Sequence, residues 1–169
     1  QVIDGKESNA IAVSDGYAYV TPLDSSMVIL DIDPPEDAHV VNTVDYDGGP
    51  TDVCVSNGFA YVGCVAGMLT VGKLHIIDID PPEEAYKVKT VFVADPVQRL
   101  DVSCGYAYLA DGGEDREGMV IVDIDPPEDA HVTDLFPGVE SAWGVVVSGP
   151  LAFVTDPNVG LRIFRLWYY

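Results

Sequence analysis

Carboxylates dominate the chemistry this sequence could perform. Among its 169 residues, 28 are Asp or Glu and 8 are Lys or Arg, giving a net charge of −20. Acid pairs therefore occur throughout, and spacing singles out none as a general acid and base. The best metal candidate is Asp45-Tyr46-Asp47-Gly48-Gly49. Asp45 and Asp47 alternate beside a flexible glycine pair, as at the start of a calcium loop. The later ligands and terminal Glu of an EF-hand are missing, so a glycine-rich turn with solvated acids is the competing reading. A second acidic cluster, residues 111–118, contains Asp111, Glu114 and Asp115; it reads as a binding loop or as a solvated one. Calcium is the one cofactor with a candidate site, and otherwise none is expected.

The other reactive side chains offer less. His39 and His131 occupy one repeat position, where Tyr86 replaces them, and His75 lies in an apolar run. No third ligand at zinc spacing accompanies them. Cys54, Cys64 and Cys104 form no CxxC pair, which leaves buried thiols, a Cys54–Cys64 disulfide or an intermolecular link open. With no glycine-rich phosphate loop and no GxSxG motif, the expectation is a protein without catalytic residues. The acidic excess excludes nucleic acid as a partner, because binding phosphates needs Lys and Arg. No apolar run approaches the roughly 18–20 residues of a membrane-spanning helix, so direct membrane insertion is not expected. The chain begins at Gln1 without an initiator Met or visible signal peptide, as a processed chain would.

What must position these groups is a repeat. VSDGYAYV at 13–20 returns as VSNGFAYV at 55–62, VSCGYAYL at 102–109 and VSGPLAFV at 147–154, with the serines 42, 47 and 45 residues apart. A second motif, MVILDIDPPEDAHVV from Met27, returns as LHIIDIDPPEEAYKV from Leu74 and MVIVDIDPPEDAHVT from Met119. It degenerates to GLRIFRLWYY at 160–169. Each unit reads as four short strands. The first ends in Val-Ser, and an Asp-Gly, Asn-Gly or Cys-Gly turn with the positive φ of a type I′ hairpin leads to the second. The third, at 28–32, 75–79, 120–124 and 161–165, is almost wholly apolar or β-branched, as a strand covered on both faces must be. Asp-Pro-Pro then turns the chain, since Pro cannot donate to a central ladder. Fourth strands follow at 39–44, 86–93 and 131–136.

Four antiparallel strands every 42–47 residues describe a β-propeller blade. The expected fold is all-β, a single β-propeller domain over residues 1–169 with four blades of four antiparallel strands. Residues 1–5 sit where a fourth strand belongs, and the chain ends after a third. The N-terminal strand is therefore expected to close the last blade, protecting edges that an open arc leaves exposed. A four-blade piece of a larger ring is the alternative.

The cores MVILDID, LHIIDID, MVIVDID and LRIFRLW, together with the VSxGYAYV segments, resemble LVIVD-repeat proteins, β-propellers common on bacterial and archaeal surfaces. The resemblance covers nearly the whole chain. It implies the propeller fold and a binding or scaffolding role, without a shared catalytic signature. Arg165 in place of the repeat Asp and Gly149-Pro150 in place of the residue-Gly turn depart from the pattern.

In such a blade the first–second and third–fourth turns share one rim. That rim is repeated and reads as architecture, its Asp side chains bonding turn backbone. The opposite rim varies, and variable loops on a fixed scaffold carry specificity. There, Asp52 and Arg99 hold equivalent places at the start of first strands, facing the channel, where they pair or hold a charged ligand. Trp143 is a binding platform or packs on the next blade. The terminal Trp167, Tyr168 and Tyr169 pack on the last blade or form an interface. The expected function is a non-catalytic, protein-binding or self-assembling module, extracellular or at the cell surface; its most specific form is a structural unit of a surface assembly or fibre. A carboxylate-dependent hydrolase or lyase at the channel mouth and a calcium-stabilised adhesion module are the alternatives.

Overall fold

The first three Val-Ser runs each reverse onto the next strand because two turn residues take positive φ, whereas in the fourth only Gly149 does (55°). The three pairs are Asp15 (51°) with Gly16 (82°), Asn57 (52°) with Gly58 (78°), and Cys104 (51°) with Gly105 (80°). Such type I′ turns match the twist of paired strands. In the computed structural model, which describes residues 7–66, 71–112, 118–136, 138–139 and 141–167, the hairpins build four antiparallel sheets. Blade 1 holds β1 (Ser8–Ser14), β2 (Tyr17–Pro22), β3 (Ser26–Asp31) and β4 (His39–Asp45). Blade 2 holds β5 (Gly49–Ser56), β6 (Phe59–Ala66), β7 (Val71–Asp78) and β8 (Tyr86–Val93). Blade 3 holds β9 (Val97–Ser103), β10 (Tyr106–Asp111), β11 (Met119–Asp123) and β12 (His131–Phe136). Blade 4 holds β13 (Gly144–Ser148), β14 (Leu151–Asp156) and β15 (Gly160–Arg165). Strands adjacent in sequence pair within each sheet. Among the described residues the only helical pieces are single 3-10 turns at Pro35–Asp37, Pro82–Glu84 and Pro127–Asp129. The closing strand expected at residues 1–5 lies outside the described residues.

The acidic rim is built three times in the same way. Asp31, Asp78 and Asp123 accept the N–H groups of Asp33, Asp80 and Asp125 at 3.0–3.1 Å, and the Asp-Pro bond that follows each is cis. Ile32, Ile79 and Ile124 donate back to the carbonyls of Gly16, Gly58 and Gly105 at 2.9 Å. The second and third turns also dock on the outer strand of the blade before them. Asn42 donates to the Pro82, Glu83 and Ala85 carbonyls, and Lys89, at the same repeat position, donates to the Glu128 carbonyl. In blade 4 Arg165 stands at the Asp position, although Leu166 still donates to the Pro150 carbonyl at 2.9 Å.

The blades stack face to face, with β1 beside β5, β5 beside β9 and β9 beside β13. Strand alternation gives each blade a front, towards the next, and a back. Tyr19, Met27 and Ile29 of blade 1 pack with Val53, Val62 and Ile77 of blade 2. Tyr61, Leu74 and Ile76 then pack with Leu100, Leu109 and Val122, and Tyr108, Met119 and Ile121 with Val145, Ala152 and Val154. These three seams hold most of the core, and a smaller cluster of Ala18, Val28 and Leu30 is buried on the opposite face of blade 1.

Two details differ from the sequence reading. β6 runs on to Ala66, so Gly49 and Pro50 pair with Val65 and Cys64, and the link expected at 45–52 contracts to residues 46–48. The Cys54–Cys64 disulfide is not formed, and all three thiols are free. Alternation sends Cys64 into the first seam and Cys54 against the second.

Candidate functional site

Where the inner strands of blades 2, 3 and 4 converge, a groove of about 520 Å³ opens. β5 supplies Asp52, β9 supplies Arg99 and Asp101, and the front of blade 4 supplies Val146, Phe153 and Leu161. Asp52 and Arg99 thus share one site, but backbone groups hold each of them. Asp52 accepts N–H from Val53 at 3.0 Å and, across the seam, from Leu100 at 2.9 Å. Arg99 donates to the carbonyls of Gln98 at 2.7 Å and Thr51 at 3.3 Å. Asp101 clasps the next blade similarly, accepting from Val102 at 2.8 Å and Val147 at 2.6 Å. Burial pushes the Asp52 carboxyl above its ordinary range, against the downward pull of those N–H groups and of Arg99. Carboxylates with both oxygens accepting scaffold N–H groups act as clasps between blades.

The other wall of the groove is apolar. Val146, Leu161 and Ile163 are exposed, as is Trp143 beside Gly144 at the groove edge. The Trp143 N–H donates to the Thr155 carbonyl at 2.9 Å, which fixes its backbone and leaves the indole outside. Trp167 is exposed beyond a buried Leu166. Asp111, expected on a variable loop, is the last residue of β10 and is buried. Glu114, Asp115, Tyr168 and Tyr169 lie outside the described residues.

The 45–49 segment is organised around His75, which the sequence showed only as a histidine on an apolar strand. Asp45 ends β4 and is exposed. Asp47 pairs with the Lys73 ammonium, and this hydrogen bond holds its carboxyl below the ordinary range. The Asp47 backbone carbonyl accepts from His75 Nε2 at 2.9 Å, and Thr90 Oγ1 lies 2.9 Å from Nδ1. Tyr46 stacks on the imidazole at 4.9 Å between centroids and donates its hydroxyl to the Ser26 carbonyl at 2.7 Å. Burial lowers the His75 pKa, so the ring is neutral, donating through Nε2 and accepting through Nδ1. Gly48 permits the turn: its φ is +110°, and a Cβ there would stand 2.8 Å from the Val65 carbonyl oxygen. Among the described residues no three His, Cys, Asp or Glu side chains converge to hold a metal ion. A cation at Asp47 would have to displace Lys73.

Comparison with known proteins agrees with the repeat. The LVIVD repeat model matches residues 5–42, 47–82, 96–128 and 140–164. The computationally designed Ika4 protein superposes with a TM-score of 0.75 at 12% identity, covering 98% of this chain and 96% of its own. Hydrazine synthase of Kuenenia stuttgartiensis gives 0.71 at 18% identity over 88% of this chain and 43% of its own. BamB from Moraxella catarrhalis gives 0.68 at 9% identity over 94% and 43%. The chain therefore spans less than half the length of these two natural proteins, and at such identities the likeness concerns the β-propeller fold alone. No functionally curated protein matches the sequence. Four repeat matches, one on each of four stacked blades, make this chain a member of the LVIVD-repeat family.

Proposed function

We propose that this propeller is a non-catalytic binding or assembly module, extracellular or at the cell surface, whose partner is a protein or another copy of itself. One observation carries the reading. The apolar face of Val146, Leu161 and Ile163 is open to solvent beside an exposed Trp143. The carboxylates of the adjoining groove meanwhile accept backbone N–H groups. Contiguous exposed apolar surface with a polar rim marks an interaction site, and an aromatic side chain at its edge is a favoured anchor. The net charge of −20 suits salt-rich or cation-rich surroundings, where self-repulsion is screened.

The test is sedimentation velocity over a wide concentration range, with iodide quenching of Trp143 in a Trp167→Phe background. The expected result is reversible association that protects Trp143 and is weakened about tenfold by Trp143→Ala. A species of 18.1 kDa at every concentration, with Trp143 open to iodide throughout, would remove the self-assembly role. A carboxylate-dependent hydrolase or lyase is favoured by the raised Asp52 carboxyl beside Asp101. Asp52→Asn would abolish turnover in such an enzyme and leave association unchanged.

A further inference from the structure

We infer that the repeated acidic rim binds arginine side chains of a basic protein segment, one in each of two equivalent hollows between neighbouring blades. This goes beyond the reading above, because it concerns the rim opposite the blade 4 groove and does not depend on that groove. The hollow between blades 1 and 2 measures about 370 Å³, and that between blades 2 and 3 about 180 Å³. Repeat positions wall them alike. Tyr17 or Phe59 lines the hollow from the earlier blade, and Asp80 with Pro82, or Asp125 with Pro127, lines it from the proline turn of the next. Asp15 adds a second carboxylate to the first hollow; its equivalent in the second is Asn57.

Two buried hydroxyls set these hollows apart from a merely solvated rim. Tyr19 and Tyr61 hold one repeat position, line the first and second hollow respectively, and are each 3% exposed. Neither hydroxyl has a hydrogen-bond partner among the described residues. Among those residues the one side-chain atom both sealed from solvent and unpartnered is Asp95 Oδ2, so the two hydroxyls open into the hollows. A buried hydroxyl without a protein partner is a position that a ligand's donor can satisfy.

Charge selects the occupant. Asp15, Asp80 and Asp125 are exposed, and no Lys or Arg among the described residues lines either hollow. Asp80 and Asp125 commit only their backbone N–H groups to the turn. Burial, followed by the charge of Asp15, pushes the Tyr19 pKa up to about 12, and burial, Cys54 and Asp125 do the same at Tyr61. Each is therefore a neutral hydroxyl that can accept an N–H. The Tyr17 ring is held in place by its hydrogen bond to Glu83 at 3.3 Å. A guanidinium brings charge for the carboxylates, a planar face for the Tyr17 or Phe59 ring, and N–H donors left over for the buried hydroxyl. Two such hollows on adjacent blades let one segment with two arginines bind both, the second contact being intramolecular.

The probe is a blocked tetra-arginine peptide, titrated by calorimetry at physiological ionic strength so that diffuse attraction to the net charge of −20 is screened. Tyr19→Phe with Tyr61→Phe keeps every charge and both buried rings, and should weaken tetra-arginine about tenfold, the loss expected for hydrogen bonds from a charged donor. Asp80→Asn with Asp125→Asn should weaken it at least as much. Glu36→Gln with Asp37→Asn, an equal change of charge at a turn that lines neither hollow, should leave it unchanged. Tetralysine and spermine should bind more weakly, because an ammonium has no planar face. Equal weakening by both charge pairs, with no effect of the paired Phe variant, would mean diffuse attraction and overturn the hollows as sites. Equal binding of tetralysine overturns the guanidinium, tighter binding of spermine overturns the protein segment in favour of a free polyamine, and no binding of tetra-arginine overturns the whole.

Discussion

The seam between blades 3 and 4 and the free front of blade 4 are written in the same sequence pattern, yet they meet different surroundings. Ile121 and Ile163 hold the same place in the third strand of their units; one is fully buried and the other faces solvent. A repeat encodes two faces per blade, and only a neighbour can turn a face into core. The burial of a position therefore depends on its place in the series as much as on its residue type.

That contrast sets the largest expected effect. In dilute protein Ile121→Ala should cost about 2–5 kcal/mol, as for a buried isoleucine that leaves a cavity. Ile163→Ala should stay within about 0.5 kcal/mol, as for a surface change. Urea unfolding measures both, and equal losses would mean that Ile163 is already covered in the single chain.

A polar node distinguishes the first seam from the other two. His75 is buried and neutral, and burial holds its pKa below the ordinary 6.5. Between the folded and unfolded values the unfolded chain binds a proton that the native chain does not. Stability is thus full above about 6.5 and falls as the pH drops below it. The slope is at most about 1.4 kcal/mol per pH unit, the limit for one proton. Urea unfolding from about pH 7 to pH 5 should show this limb, and His75→Gln should flatten it; an unchanged slope would assign the proton elsewhere.

The smallest effect belongs to Asp47, whose partner Lys73 is largely buried while the carboxylate itself is exposed. Asp47→Asn should cost about 0–1 kcal/mol, the range of an exposed ion pair. Melting with and without a calcium chelator should coincide while Lys73 holds the carboxylate, because a metal bound only to the folded state would raise stability. A chelator-dependent shift lost in Asp47→Asn would favour the calcium-stabilised adhesion module instead.

The blades were legible in the sequence because strand alternation, Asp-Gly and Asn-Gly turns and paired prolines are local signals that recur in register. Asp52 and Arg99 could be brought together by repeat equivalence alone. Their roles could not, since Asp52 clasps the Leu100 N–H across a seam whose approach distance no single unit encodes. Asp47 looked like a ligand because Lys73 is 26 residues away in sequence and reaches it only after β7 pairs with β6. The exposed front of blade 4 was hidden for the same reason. Leu161 and Ile163 carry the pattern of core residues, and that pattern is silent on how far each blade rotates from the last.

Hydroxyl-radical footprinting of Ile163, with Ile121 as the buried reference, tests the exposed apolar face of blade 4 most directly. Ile163 should react freely in dilute protein and become protected as concentration rises, while Ile121 stays protected throughout. Reactivity of Ile163 at every concentration would contradict self-assembly through this face, and protection at every dilution would show that the single chain already covers it.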